Sequence, residues 1–155
     1  MTLRVRAATL ARMTSRAIVA QTLALALAVT LVAGAQDAAA YSSATWYEGA
    51  DGWAQARRQQ RVHGVPILVY FRAEWCPHCH ALDETLEDPE VEARLRQVIK
   101  VRIEPEDGDE EQSLFNDDFG AHAFPTVFLV SRSGARRQLS YESAERLLAQ
   151  LPAAQ

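Results

Sequence analysis

Cys76 and Cys79 are the only two cysteines in this 155-residue chain, and Pro77 and His78 separate them. Two thiols at that spacing can form a reversible disulfide, bind a soft metal or staple a loop. The staple is a weak use, because closing so short a loop restricts the unfolded chain little. A metal needs further donors, and His80 and His122 are candidates for them. Redox exchange needs one sulfur as a nucleophile, since the thiolate is the species that attacks a disulfide. Pro77 suits the first turn of a helix, so Trp75-Cys76-Pro77-His78-Cys79 puts Cys76 at a helix start. Free backbone N–H groups and the positive end of the helix dipole would stabilise a thiolate there. Cys76 is therefore the expected nucleophile, with His78 as a further stabiliser of its thiolate and Pro77 fixing the turn. Cys79, one turn in and more buried, is the expected resolving thiol.

The elements that must hold this pair are readable on both sides of it. Ile67-Leu68-Val69-Tyr70-Phe71 is a continuous apolar run, the pattern of a strand buried on both faces. Before it, Trp53, Ala54, Ala56 and Val62 predict a helix over about 51–63, capped by Asp51 and ended by Gly64. His63 falls at its C-terminus, where a basic side chain needs no chemistry to explain it. After the cysteines a helix should continue through Ala81, Leu82 and Leu86. Asp88-Pro89-Glu90 starts another, leading into a strand over 98–103. A helix over about 109–119 ending at Gly120, a buried strand over 126–130, a hairpin to a weaker strand near 136–140 and a closing helix from about Glu142 complete the chain. The expected order is α, β, α, α, β, α, β, β, α, with the cysteines at a strand-to-helix junction.

The first forty residues have a different character. Arg4, Arg6, Arg12 and Arg16 precede a nearly uncharged run from Ala17 to Ala35, the pattern of a secretory leader. Cleavage is expected after Ala38-Ala39-Ala40, or alternatively after Ala33-Gly34-Ala35; an uncleaved membrane anchor is the other reading of the same run. Residues 41–155 then form one domain with 12 basic and 19 acidic residues, a formal net charge of −7. That balance argues against nucleic acid as a partner. The acidic stretch from Glu104 to Glu111 reads as a solvated loop. With 48% hydrophobic and 23% charged residues, the composition is that of an ordinary globular chain.

The segment from Ile67 through Cys79 resembles the active-site strand and helix start of the thioredoxin superfamily. Phe119-Gly120-Ala121-His122-Ala123-Phe124-Pro125-Thr126 is similar to the segment that carries that family's cis-proline. The resemblance covers nearly all of residues 46–152. It implies a thioredoxin fold, an α/β arrangement with a central mixed β-sheet flanked by helices. It also implies thiol–disulfide exchange with protein substrates and a redox-recycling partner, with no organic cofactor and no resident metal. Pro125 would be cis and Phe124 would pair with an extended substrate, with Trp75 shielding the thiols or docking substrate. The leader and the Asp88-Pro89-Glu90-Val91 stretch look most like exported, periplasmic thiol–disulfide interchange domains, whereas the Pro-His dipeptide resembles the bacterial disulfide-forming oxidases. Contact with a membrane is expected only if the leader is retained. One departure stands out: where thioredoxins bury an acid behind the redox pair, this chain has Tyr70, so Cys79 must lose its proton to another base or to water. Glu74 is the nearest carboxylate in sequence. Two rival classes remain open, a copper or zinc carrier using the cysteines and a histidine, and a redox-inert binding module.

Overall fold

A computed structural model describes residues 45–153, and its centre is the strand that the apolar run predicts. The leader expected over residues 1–40 lies outside the described residues. Strand β1 is Trp46–Glu48, α1 is Gly49–His63, β2 is Ile67–Phe71, α2 is Pro77–Leu86, α3 is Pro89–Leu95 and β3 is Ile99–Ile103. A 3₁₀ turn over Pro105–Asp107 leads into α4, Asp109–Ser113, followed by a π-helical turn over Leu114–Asp118. Strands β4, Thr126–Val130, and β5, Arg136–Gln138, precede α5, Ala144–Leu148.

The five strands make one mixed sheet in the order β1-β3-β2-β4-β5. Strand β2 runs parallel to β3 and antiparallel to β4, with Tyr70 opposite Arg102 on one side and Val127 on the other. All five β2 side chains are fully buried, because helices cover both faces. Ile67, Val69 and Phe71 pack with Ala56 of α1 and with Phe115, Phe119 and Phe128. Leu68 and Tyr70, pointing the other way, pack with Leu82 and Leu86 of α2, Val91 and Leu95 of α3, and Leu147. Burying each such side chain stabilises the fold by roughly 1.5–3 kcal/mol before entropy is counted. The central strand is thus the most firmly held element, and the cysteines follow directly from its end.

Four sequence expectations are corrected. Strand β1 was not anticipated; it is only three residues long and pairs parallel with β3 at the sheet edge, too short to show a period. Helix α1 begins at Gly49 rather than Asp51, with Glu48 at its cap position and Asp51 inside the first turn. The helix expected over 109–119 breaks after Ser113 into the π turn, where the Phe119 amide donates to the Leu114 carbonyl at 3.0 Å. That wider turn buries Leu114 and Phe115 while Phe119 reaches the same core. The closing helix starts at Ala144, since Ser143 and not Glu142 caps it by accepting from the Arg146 amide.

The end of α1 follows expectation: Gly64 is left-handed at φ 69°, and its N–H donates to the Gln60 carbonyl. Gln60 itself is a buried amide whose Nε2 donates to the carbonyls of Val65, Val130 and Ser131 at 3.3, 3.2 and 3.2 Å. It ties α1 to the end of β4. Gln60→Leu keeps the volume but leaves those acceptors without their donor, and is expected to cost about 1–3 kcal/mol in urea unfolding. A loss below about 0.5 kcal/mol would show that the carbonyls are satisfied without it.

Candidate active site

Cys76 is the residue at the N-cap of α2, in extended backbone geometry with φ −85° and ψ 109°, and Pro77 occupies the first helical turn. Its Sγ accepts from the Cys79 amide at 3.2 Å, and its carbonyl accepts from the amides of Cys79 and His80. A sulfur therefore fills the position at which Ser or Asp oxygens usually cap a helix. Two consequences follow. The sulfur sits at the positive end of a ten-residue helix, where negative charge is favoured, and the cap itself holds it close to Cys79. Both thiols are free; Cys76 is 3% exposed and Cys79 is fully buried.

Burial pushes the Cys79 thiol up to about 11, and the hydrogen bond it shares with Cys76 pushes in the same direction. The environment beneath it is built from β2. Tyr70 is fully buried, and its O–H donates to the Cys79 carbonyl at 3.0 Å. Burial, followed by the negative charge of Asp83, raises the Tyr70 phenol well above its ordinary range. Asp83 lies one turn beyond Cys79 on α2, and Arg72 Nη2 holds its carboxylate at 3.5 Å. Through Nη1 the same guanidinium binds Glu104 at the end of β3, at 2.8 Å. Arg72 Nε is buried without a hydrogen-bond partner. The carboxylate whose charge acts on Tyr70 is thus Asp83, which the sequence reading missed. Its signal was present as the i,i+4 spacing from Cys79, which puts both on one helix face. Glu74 is exposed, and it is its main-chain carbonyl that His80 Nε2 engages, at 2.9 Å.

On the outer surface Trp75 is 65% exposed. Its Nε1 donates to both carboxylate oxygens of Glu106 at 3.1 and 3.0 Å, so part of the acidic stretch steadies an aromatic beside the thiols. Glu111 of the same stretch accepts from the Ala50 amide at 2.8 Å. Those residues are fixtures of the fold as well as solvated charge. The Trp75 ring meets Phe124 edge-on at 6.0 Å, and Phe124 stacks on Phe115 at 4.9 Å. The Phe124–Pro125 peptide bond is cis. His78 is exposed and lines an open cavity of about 390 Å³ with Leu82, Thr85, Phe124, Tyr141 and Glu142. Burial, then Cys79, raises the Tyr141 phenol. His122 is exposed. Among the described residues, no three His, Cys, Asp or Glu side chains converge as a metal site, so His80 and His122 do not complete a ligand set with the cysteines.

A family model described as thioredoxin-like matches residues 45–131. Probable thioredoxin-2 of Caenorhabditis elegans is 39% identical over 64 residues, 41% of this chain and 41% of that protein. A thioredoxin of Alicyclobacillus acidocaldarius is 33% identical over 98 residues, 62% of this chain and 89% of that one. The chain therefore spans less than half of the nematode relative and most of the bacterial one. Among solved structures, the oxidised C-terminal domain of Neisseria meningitidis DsbD superposes with a TM-score of 0.58 at 26% identity, covering 64% of this chain and 90% of that domain.

The raised Cys79 thiol makes the reduced protein sensitive to alkali. An unfolded thiol releases its proton near 9 and the folded one near 11, so in that window the native state binds more protons and stability falls as pH rises. Below pH 9 this contribution is constant. Urea unfolding of the reduced protein at pH 8.5, 10 and 11 should show a loss attributable to Cys79 of roughly 2 kcal/mol. The raised Tyr70 adds to the fall above pH 10, so the reference is a Cys79→Ala variant. Equal slopes in the two proteins would contradict the assignment.

Proposed function

The chain belongs to the thioredoxin-like family, and from that premise we propose that it is an exported thiol–disulfide oxidoreductase that exchanges disulfides with protein substrates through Cys76 and Cys79. The observation that carries this reading is the cap of α2, in which the Cys76 sulfur accepts from the Cys79 amide at a helix N-terminus. Cys76 attacks one sulfur of the substrate disulfide and forms a mixed disulfide, and the other substrate sulfur leaves as a thiolate. Cys79 then attacks Cys76 Sγ, which closes the Cys76–Cys79 bond and releases the second substrate thiolate. The protein pair is oxidised by two electrons and the substrate reduced; the reverse sequence forms a disulfide in the substrate. Pro77 sets the helix start. Trp75, Phe124 and Pro125 form the surface against which an extended substrate lies, and His78 looks into the neighbouring cavity.

Likeness to thioredoxins and to the DsbD domain supports this chemistry. Export rests on the arginine-rich start and uncharged run of residues 1–35 and on the small residues ending at Ala40. The site of action is then the periplasm, where a recycling partner restores the redox state of the pair. Disulfides persist in that compartment, so either direction of exchange has substrates there.

Equilibrating the protein with glutathione buffers and trapping free thiols is expected to give one reversible two-electron transition between about −270 and −120 mV, the span of thioredoxin-fold pairs. Cys76→Ser should abolish it. Absence of exchange at every poise, with the fold intact by circular dichroism, would remove the oxidoreductase reading.

A further inference from the structure

Nine of the twelve Arg and Lys side chains of residues 41–155 lie in three segments, 57–67, 94–100 and 130–138, and those segments contain no Asp or Glu. The sheet register brings the three together. Ile67, Ile99, Val130 and Arg136 form one row across β2, β3, β4 and β5, and this row closes the end of the sheet opposite the cysteines. We propose that this basic end of the domain rests on an anionic lipid surface and holds Cys76 away from it. The contact belongs to the folded domain, whatever residues 1–40 add, and goes beyond the proposed function.

The arginines of α1 and of the β4–β5 turn form one surface. Arg58 and Arg61 are exposed in the last turns of α1, and Arg132 is exposed in the hairpin turn. The Arg132 guanidinium lies over Gly64, so close that a β-carbon there would stand 2.9 Å from it, and Arg57 Nη1 lies 3.9 Å from the place a β-carbon would take on Gly134. Gln60 ties the same two elements from inside, through the carbonyls of Val130 and Ser131. No carboxylate among the described residues pairs with Arg57, Arg58, Arg61 or Arg132, while Asp118 is engaged by Arg136 at 3.7 Å. Beside Arg61 stands Val62, an apolar side chain that is 68% exposed. Apolar side chains set among cations are how interfacial segments seat in the headgroup region.

Charge and chain direction single out lipid as the occupant. An arginine with no carboxylate partner can take a lipid phosphate without first breaking an ion pair. The domain as a whole is acidic, at −7, and Glu104, Glu106 and Asp107 follow β3 at the cysteine end. Four residues of strand, about 13 Å, separate the two end rows, more than the screening length of about 8 Å at physiological salt. An anionic surface therefore attracts one end and repels the other. Strand β1 runs parallel to β3 and opens with Trp46 opposite Lys100, one row from the basic end. The chain before Trp46 thus enters the domain on this side, and with it the uncharged run of residues 17–35 that the sequence offers to a membrane.

The test labels the arginines of the full-length protein with phenylglyoxal and reads each site by mass spectrometry. It is run in buffer, with vesicles of phosphatidylcholine, and with vesicles of phosphatidylcholine and phosphatidylglycerol. On the anionic vesicles, labelling of Arg58, Arg61 and Arg132 should slow by at least about fivefold, the factor per basic residue near such a surface, and recover in high salt. On phosphatidylcholine alone it should match the rate in buffer. Arg146, exposed on α5, should keep its rate throughout, and Cys76 should react with dithiobisnitrobenzoate equally fast on and off the vesicles. Arg58→Gln combined with Arg61→Gln should return Arg132 to its rate in buffer. Attachment through residues 1–40 alone would leave the three arginines labelled at full rate and overturn the proposal, with an acidic protein surface left as the occupant. Equal protection by both kinds of vesicle, or protection of Arg146 with loss of Cys76 reactivity, also overturns it. So does protection that appears without vesicles and grows with protein concentration, which would assign the face to a second copy of the chain. The arginine readout requires no disulfide exchange, so its failure and the failure of the proposed function are separate results.

Discussion

A sulfur atom caps the helix that carries the redox pair, and most of the site is arranged so that it can. Capping requires an extended residue immediately before the first helical turn, an acceptor aimed at the amide three residues on, and a backbone that enters the helix without a clash. Cys76, the Cys79 amide and Pro77 meet these needs in turn. The Cys79 amide, shared between the Cys76 carbonyl and the Cys76 sulfur, holds that sulfur close to the second cysteine. Helix start and sulfur position therefore depend on one residue, and the helix cannot be started differently without moving the Cys76 sulfur.

The pleat of β2 distributes the remaining work between the two sides of the sheet. Phe71 faces an aromatic cluster in which it meets Phe115, Phe119 and Phe128 edge-on, and Phe115 passes that rigidity outward through Phe124 to Trp75. Tyr70 faces α2 and supplies the polar floor under Cys79. Arg72, the first residue beyond the strand, forks between Asp83 and Glu104 and so joins α2 to the end of β3. Three consecutive residues thus support the Trp75–Phe124 face, the buried thiol and the junction between helix and sheet. A one-residue slip of register would exchange Tyr70 and Phe71 between the two faces.

How far the sequence could be read follows from what each element depends on. Strands β2 and β4 and the helix after the cysteines were readable because unbroken apolar runs and a proline at a helix start are local signals. Strand β1 was not, since three residues carry no period and its order comes from pairing with β3. The π turn escaped for the same reason: the helical pattern was real, but the packing of Leu114, Phe115 and Phe119 into one core demanded an extra residue in the turn. In the site, Cys76, Pro77 and Cys79 could be placed from spacing alone. The i,i+4 spacing of Asp83 from Cys79 marked a shared helix face but not its ion pair with Arg72, and Glu106 carried no signal, because Trp75 lies 31 positions away and meets it only after folding.

The two borders of the sheet are both three residues long, and all of Arg136-Arg137-Gln138 on one border is exposed. Unpaired strand edges attract other extended chains, and shortness and positive charge are ways to blunt that attraction. For a protein whose proposed substrates are other polypeptide chains, this is a matter of self-protection. A long apolar border would capture its own substrates by strand addition and seed co-aggregates. A brief, arginine-bearing one lets those chains slide off, and leaves capture to a bond that breaks again at each turnover.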